Sequence, residues 1–297
     1  MKKTLYFLYT KTIGLYINLL SFIFPKIAIK IACSLFGEPR KGRLSVEQLP
    51  DFVQEADIES FTHKGQRFKS YIWKGNETVV FLVHGWESNG LRWQKFLYHL
   101  QETGSTIIAI DGPAHGLSSG TTFDIPKYAA FINIVAQKYN PHYLVGHSLG
   151  GKTCLYYQYF YKSKTVKKIV TLGSPSDFKI ILENYINLLS INNKVVRGIE
   201  LQYRKIFRSS LSFFSASYFA SKLDCQGLIV HDTFDTTVDI NEGKKIANTW
   251  KNATFIETKG FGHSLHDDDL YKKIVVFLFD TLKPIDNDSA PTIEVAI

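Results

Sequence analysis

In Tyr143-Leu144-Val145-Gly146-His147-Ser148-Leu149-Gly150-Gly151 an apolar run gives way at once to a Gly-x-Ser-x-Gly turn, and a helical pattern follows. A serine at a sharp strand-to-helix turn is held in a strained conformation that exposes its hydroxyl. Glycines two positions either side remove the side chains that would collide there. The helix beginning near Leu149 points its free amides and positive end at the same place. As a bare pattern the pentapeptide is common by chance. Its position between a strand and a helix is what gives it weight.

Outward from this turn, short β-branched runs alternate with helical periodicity. The spacing predicts strands at Ile58–Thr62, Phe68–Trp73, Thr78–Val83, Thr106–Ile110, Tyr143–Val145, Ile169–Leu172, Gly227–His231 and Thr254–Ile256. Helical patterns include Trp93–Leu100, Tyr128–Lys138 and Leu270–Leu282. Two strands in tandem, then alternation, argue for a mostly parallel eight-stranded sheet with an antiparallel start, flanked by helices. Residues 176–224 break the alternation: about 50 residues stand where a crossover needs a dozen or more. Their aromatics, among them Tyr185, Tyr203, Phe207 and Phe214, fall at helical spacing. We read a small helical cap whose aromatic walls suit an apolar acyl or aryl group. The domain proper then spans 44–283, and 284–297 reads as a loose tail.

A serine nucleophile needs a base, and the base an orienting acid. After Ser148 the run Gly227–Asp235 is a strand leading into a loop, with Asp235 four residues beyond His231. Gly260-Phe261-Gly262-His263 follows the next strand. Ser148, Asp235 and His263 therefore stand at the C-terminal ends of three strands, the edge where open α/β sheets gather their sites. His84-Gly85-Trp86 closes the strand Thr78–Val83, and its turn can aim the Trp86 amide, with that of Leu149, at a developing oxyanion.

These elements in this order, with Asp111-Gly-Pro-Ala-His-Gly-Leu-Ser118 between them, resemble the α/β-hydrolase superfamily over roughly residues 55–282. Within it the chain is similar to serine hydrolases of the esterase and lysophospholipase-like kind. The resemblance implies Ser148 as nucleophile, His263 as general base, Asp235 as its partner, and Trp86 and Leu149 as oxyanion donors. It implies hydrolysis of an ester, thioester or related acyl bond in a small-molecule substrate, with no cofactor. The alternatives are a non-catalytic ligand sensor or scaffold, or a carbon–carbon bond hydrolase or acyl transferase using the same triad. Two departures stand out. Asp232 sits where such sequences often carry glycine, giving the acid a rival, and His84-Gly85 lacks the run of three glycines found in many lipases.

Other polar residues have plainer readings. His84 and His115 suit loop-holding hydrogen bonds, Ser88 and Ser118 are turn residues, and His147 is a packing residue. Asp267, Asp268 and Asp269 open a helix as dipole-matching caps. No His/Cys ligand spacing points to a metal.

Composition sets the class. The 297 residues are 45% hydrophobic and 21% charged, with 22 Phe and 16 Tyr, which excludes a disordered chain. Cys33, Cys154 and Cys225 are odd in number and widely spaced, so a disulfide framework is excluded; a reducing compartment fits, or one where disulfides are not used, and the expected setting is cytoplasmic. The net charge of +8 is local: residues 1–43 carry eight basic residues against Glu38, a net +7, leaving +1 for the rest. Nucleic acid, which needs a basic folded surface, is not an expected partner. The basic end is also apolar. Lys11 and Lys26 bound only 14 uncharged residues, short of the ~20 that span a bilayer. Thr4, Lys11 and Asn18 recur at seven, drawing a narrow polar stripe, and Pro25 divides the stretch. Two short amphipathic helices over residues 1–36 follow, packed on the domain or resting on the inner membrane surface. The alternative is an N-terminal membrane anchor.

Overall fold

The computed structural model describes residues 2–280. The expected tail, 284–297, and the end of the last predicted helix lie outside them. The chain opens with α1 (Lys2–Ile23) and α2 (Pro25–Gly37), Pro25 standing in the first turn of α2, where its missing N–H costs no helical bond. Then come β1 (Asp57–His63), β2 (Gln66–Trp73), β3 (Asn76–Val83), α3 (Gln94–Gln101) and β4 (Ser105–Ile110). Next are α4 (Ile125–Tyr139), β5 (Tyr143–His147), α5 (Leu149–Tyr161) and β6 (Lys168–Leu172). The long connection folds into α6 (Phe178–Leu189), α7 (Asn193–Phe207) and α8 (Ala216–Ala220). The chain returns through β7 (Gln226–Asp232), α9 (Ile240–Ala247), β8 (Ala253–Thr258) and α10 (Asp268–Phe279). Every strand expected from the sequence forms, its ends moved by at most two residues.

The eight strands make one sheet in the order β1-β2-β4-β3-β5-β6-β7-β8. β2 pairs antiparallel with both β1 and β4, and every other pairing is parallel. The central strands are apolar on both faces because both are covered. Along β3, Phe81 and Val83 belong to the core layer shared with α4 and α5, while Val80 and Leu82 belong to the layer shared with α3 and α10. From β3 the chain moves out to β4 and back across to β5, so the winding reverses beside β3. A reversal of this kind opens a crevice at the C-terminal strand ends, and here those ends carry His84–Trp86 and Ser148.

The N-terminal reading needs one correction. α1 is not short: it runs 22 residues. Of its polar stripe, Lys11 and Asn18 face the protein. Lys11 Nζ donates to the Asn187 carbonyl and the Ser190 hydroxyl, both at 2.8 Å, and Asn18 Nδ2 donates to the Ser190 carbonyl at 2.8 Å. Carbonyls at the α6–α7 corner have no helical partner of their own, so polar side chains from α1 are drawn to them. Among the described residues, no helix is long and apolar enough to cross a membrane.

Candidate active site

Ser148 occupies the sharp turn between β5 and α5 with φ 54° and ψ −123°. A residue with a Cβ adopts that conformation only when its surroundings force it. They do so here. Ser148 N–H donates to Leu172 O at 2.7 Å, tying the turn to β6, and α5 starts at the next residue. Gly150 passes so close to β3 that a Cβ would lie 2.1 Å from Val83 O.

His263 joins the other two expected residues. Its Nε2 lies 3.1 Å from Ser148 Oγ, and its Nδ1 lies 2.7 Å from Asp235 Oδ2. Ser148 keeps 7% of its surface exposed and the His263 side chain 23%, while the Asp235 side chain is sealed at 0%. Asp235 Oδ1 accepts from the Thr237 and Val238 amides at 2.8 and 2.9 Å. Burial alone would raise this carboxyl, but hydrogen bonds from His231, His263 and the Val238 amide carry it well below the ordinary carboxylate range.

The rival acid has other work. Asp232 Oδ2 accepts from the Thr258 hydroxyl at 2.8 Å and the Phe261 amide at 2.9 Å, and Oδ1 from the Phe234 amide at 2.9 Å. It braces the loop that delivers His263 and makes no bond to the imidazole. His147 does more than pack: its Nε2 donates to the His263 carbonyl at 2.7 Å. Burial, with Arg92 nearby, holds the His147 imidazole well below its ordinary value. His231 was missed as a site residue, although it lay four positions before Asp235. It is fully buried, donates from Nε2 to Val238 O at 2.9 Å, and stands 3.4 Å from Asp235 Oδ2.

The Trp86 loop lies against the nucleophile. A Cβ on Gly85 would meet Ser148 Cβ at 2.8 Å and His147 O at 2.9 Å, so only glycine permits the approach. Among the described residues, neither the Trp86 nor the Leu149 amide has a protein acceptor. The loop is held from behind by the expected histidines. His84 Nε2 accepts from the Gly112 amide at 2.8 Å, and His115 Nε2 accepts from the Glu87 amide at 2.9 Å. Asp111, pushed up to about 6 by burial, accepts from Tyr71, Gly90 and Leu117.

The aromatics of 176–224 are spent differently from the expectation. Tyr185, Tyr203, Phe207, Phe214 and Phe219 are buried in the core layer with α4 and α5. Phe207 stacks on Phe214 at 3.5 Å, and Tyr203 and Tyr185 pack on Phe36 of α2. Rings packed on one another do not argue for an aromatic substrate. Asp267 caps α10 by accepting from the Leu270 amide, as expected. Among the described residues, no group of three or more His, Cys, Asp or Glu side chains could hold a metal ion.

Known proteins match this geometry at the level of the fold. A family model described as the alpha/beta hydrolase fold matches residues 78–223. Protein phosphatase methylesterase 1 of Candida albicans is 25% identical over 131 residues, which are 41% of this chain and 36% of that protein. The match thus spans little more than a third of that relative's length. An esterase from Rhodococcus sp. ECU1013 superposes with a TM-score of 0.59 at 17% identity, over 77% of this chain and 100% of the other. The thioesterase domain of the curacin biosynthetic pathway superposes with a TM-score of 0.55 at 17% identity, over 75% and 98%. The sheet order, the elbow and the family match together define an α/β hydrolase. The chain has the α/β-hydrolase fold.

Proposed function

We propose that the protein is a serine hydrolase that cleaves a carboxylic ester, thioester or related acyl bond through an acyl-enzyme. The observation that carries this reading is the unbroken relay from Asp235 Oδ2 through both nitrogens of His263 to Ser148 Oγ, at 2.7 and 3.1 Å. Ser148 Oγ attacks the carbonyl carbon while His263 Nε2 takes its proton. Asp235 accepts the Nδ1–H, holds that tautomer and stabilises the imidazolium. The Trp86 and Leu149 amides receive the oxyanion. His263 then protonates the departing alcohol or thiol. Water attacks the acyl-enzyme with His263 again as base, releasing the acid and restoring Ser148. No cofactor enters these steps. Proteins named as an esterase, a thioesterase and a methylesterase among the similar ones support an acyl bond as the target. The three free cysteines support a reducing, cytoplasmic setting.

A fluorophosphonate probe tests the reading. It should label the protein at Ser148 and leave the Ser148→Ala protein unlabelled, and p-nitrophenyl esters of rising chain length should then give the acyl preference. A folded wild-type protein that neither labels nor hydrolyses any of the series would instead be a ligand-binding member of the fold.

A further inference from the structure

The two faces of α1 are the reverse of those of a helix packed on a protein in water. Thr10, Gly14, Ile17 and Ser21 follow one another at helical spacing and are all buried. Gly14 touches the body so closely that a Cβ would fall 1.6 Å from Leu189 O. Lys11 and Asn18, beside this row, hook onto Asn187, Ser190 and Asn192. On the other side Leu5, Leu8, Leu15, Leu19, Phe22 and Ile23 are 56–73% exposed. A helix solvated by water turns its bulky apolar residues toward the core. A helix solvated by lipid has no reason to, and is held to its neighbours by small residues and polar contacts. α1 follows the second pattern.

Charge selects the occupant. Residues 1–37 hold five lysines and no acid. Lys26 and Lys30 of α2 are exposed just past the apolar face, and Lys194 of α7 lies 5.8 Å from the centre of the Phe22 ring. Arg197, one turn further along α7, is exposed as well. A second copy of this chain would bring these cations against their own kind. An anionic lipid surface meets both features at once: headgroups for the lysines, acyl chains for the leucines. We propose that α1 seats the protein in the headgroup region of an anionic bilayer, lying along the surface without crossing it.

Vesicle flotation of the full chain tests this, using phosphatidylcholine alone and phosphatidylcholine with about a third phosphatidylglycerol. The protein should float with the anionic vesicles, far less with the neutral ones, and less again at high salt. Combined Leu8→Gln, Leu15→Gln and Leu19→Gln should lower anionic binding at least about tenfold while leaving hydrolysis of a soluble ester and the thermal midpoint unchanged. Lys26→Glu with Lys30→Glu should abolish the preference for the anionic vesicles. Wild-type protein that stays unbound, or a glutamine variant that binds as well as wild type, overturns the proposal. So does a wild-type dimer that the glutamine variant turns to monomer without any vesicle binding, which would make the face a contact between copies.

Discussion

His231 Nε2 lies 3.4 Å from Asp235 Oδ2, the same oxygen that faces His263 Nδ1 at 2.7 Å. One carboxylate oxygen is therefore shared by two imidazoles. Because His231 Nε2 also donates to Val238 O, its hydrogen is directed between a carbonyl and the carboxylate, and the β7 loop closes around Asp235. We expect His231→Phe, which keeps the ring and removes the donor, to lower kcat about 10- to 100-fold with little change in KM. The unpaired Val238 carbonyl should also cost about 1–3 kcal/mol of stability. His231→Gln, restoring a donor, should recover part of the kcat. Steady-state kinetics with a soluble ester decide it, and equal kcat in wild type and the Phe variant would reduce His231 to packing.

Ser148 supplies a second test, because its conformation and its chemistry can be separated. Ala and Ser share the strain at φ 54°, whereas glycine does not. Relief of about 1–3 kcal/mol, less roughly 0.5–1 kcal/mol for the freer unfolded chain, should leave Ser148→Gly about 1 kcal/mol more stable than Ser148→Ala. Both variants should lack turnover. Urea unfolding of the two proteins side by side measures the difference. A Ser148→Gly protein less stable than Ser148→Ala by roughly 0.5–1 kcal/mol would mean the elbow stores no strain.

How much of this was legible beforehand depends on whether a feature is local. Ser148 was readable because the strand, the glycines and the helix are contiguous, and the eight strands because covered strands read as apolar runs. The sequence names Asp235 as the acid, with Asp232 left as its rival. They lie in one loop three residues apart, and only the fold decides which carboxylate meets His263 and which meets the amide of Phe261. His231 was hidden for the same reason, since its partners are backbone and a carboxylate brought together by the turn. In α1 the periodicity of Thr4, Lys11 and Asn18 was real, but periodicity says which residues share a face, never which face meets the body. The aromatics of 176–224 likewise announced helices without saying whether their rings pack on each other or on a ligand.

The two acids should part company on mutation. Asp235→Asn keeps the shape but offers His263 an amide in place of a carboxylate, and should cost on the order of 10⁴ in kcat by analogy with serine proteases. Asp232→Asn loses part of its brace on Phe234, Thr258 and Phe261, so stability should suffer by about 1–2 kcal/mol and kcat far less. Kinetics and urea unfolding on both variants distinguish them. A larger kcat loss in Asp232→Asn would reassign the acid.

Lys152 gives a prediction that depends on pH. It stands four residues after Ser148 on α5, fully buried, with Nζ donating to the Ser176 carbonyl at 2.8 Å. Burial brings its amine down to about 7, against the opposing pull of Asp177 and Glu242. Those two carboxylates are already engaged by Lys245, at 2.8 and 2.5 Å, so they compensate the buried cation only in part. Between about pH 7 and the ordinary lysine value of 10.5, the unfolded chain carries this proton and the folded one does not. Folding then releases a proton, and stability rises with pH by about 1.4 kcal/mol per unit from this group. Below about pH 7 both states are charged and the full penalty of the buried cation remains. Lys152→Met keeps the stem and removes the charge, while leaving Ser176 O without its donor at a cost of about 1–3 kcal/mol. The variant's advantage over wild type should therefore be largest below about pH 7, shrink as pH rises above it and reverse sign between about pH 8 and 10. Urea unfolding of both proteins at unit steps from pH 6 to 10 reads this difference directly, and other titrating groups cancel in it. A difference that does not change with pH would show that Lys152 stays charged inside the fold.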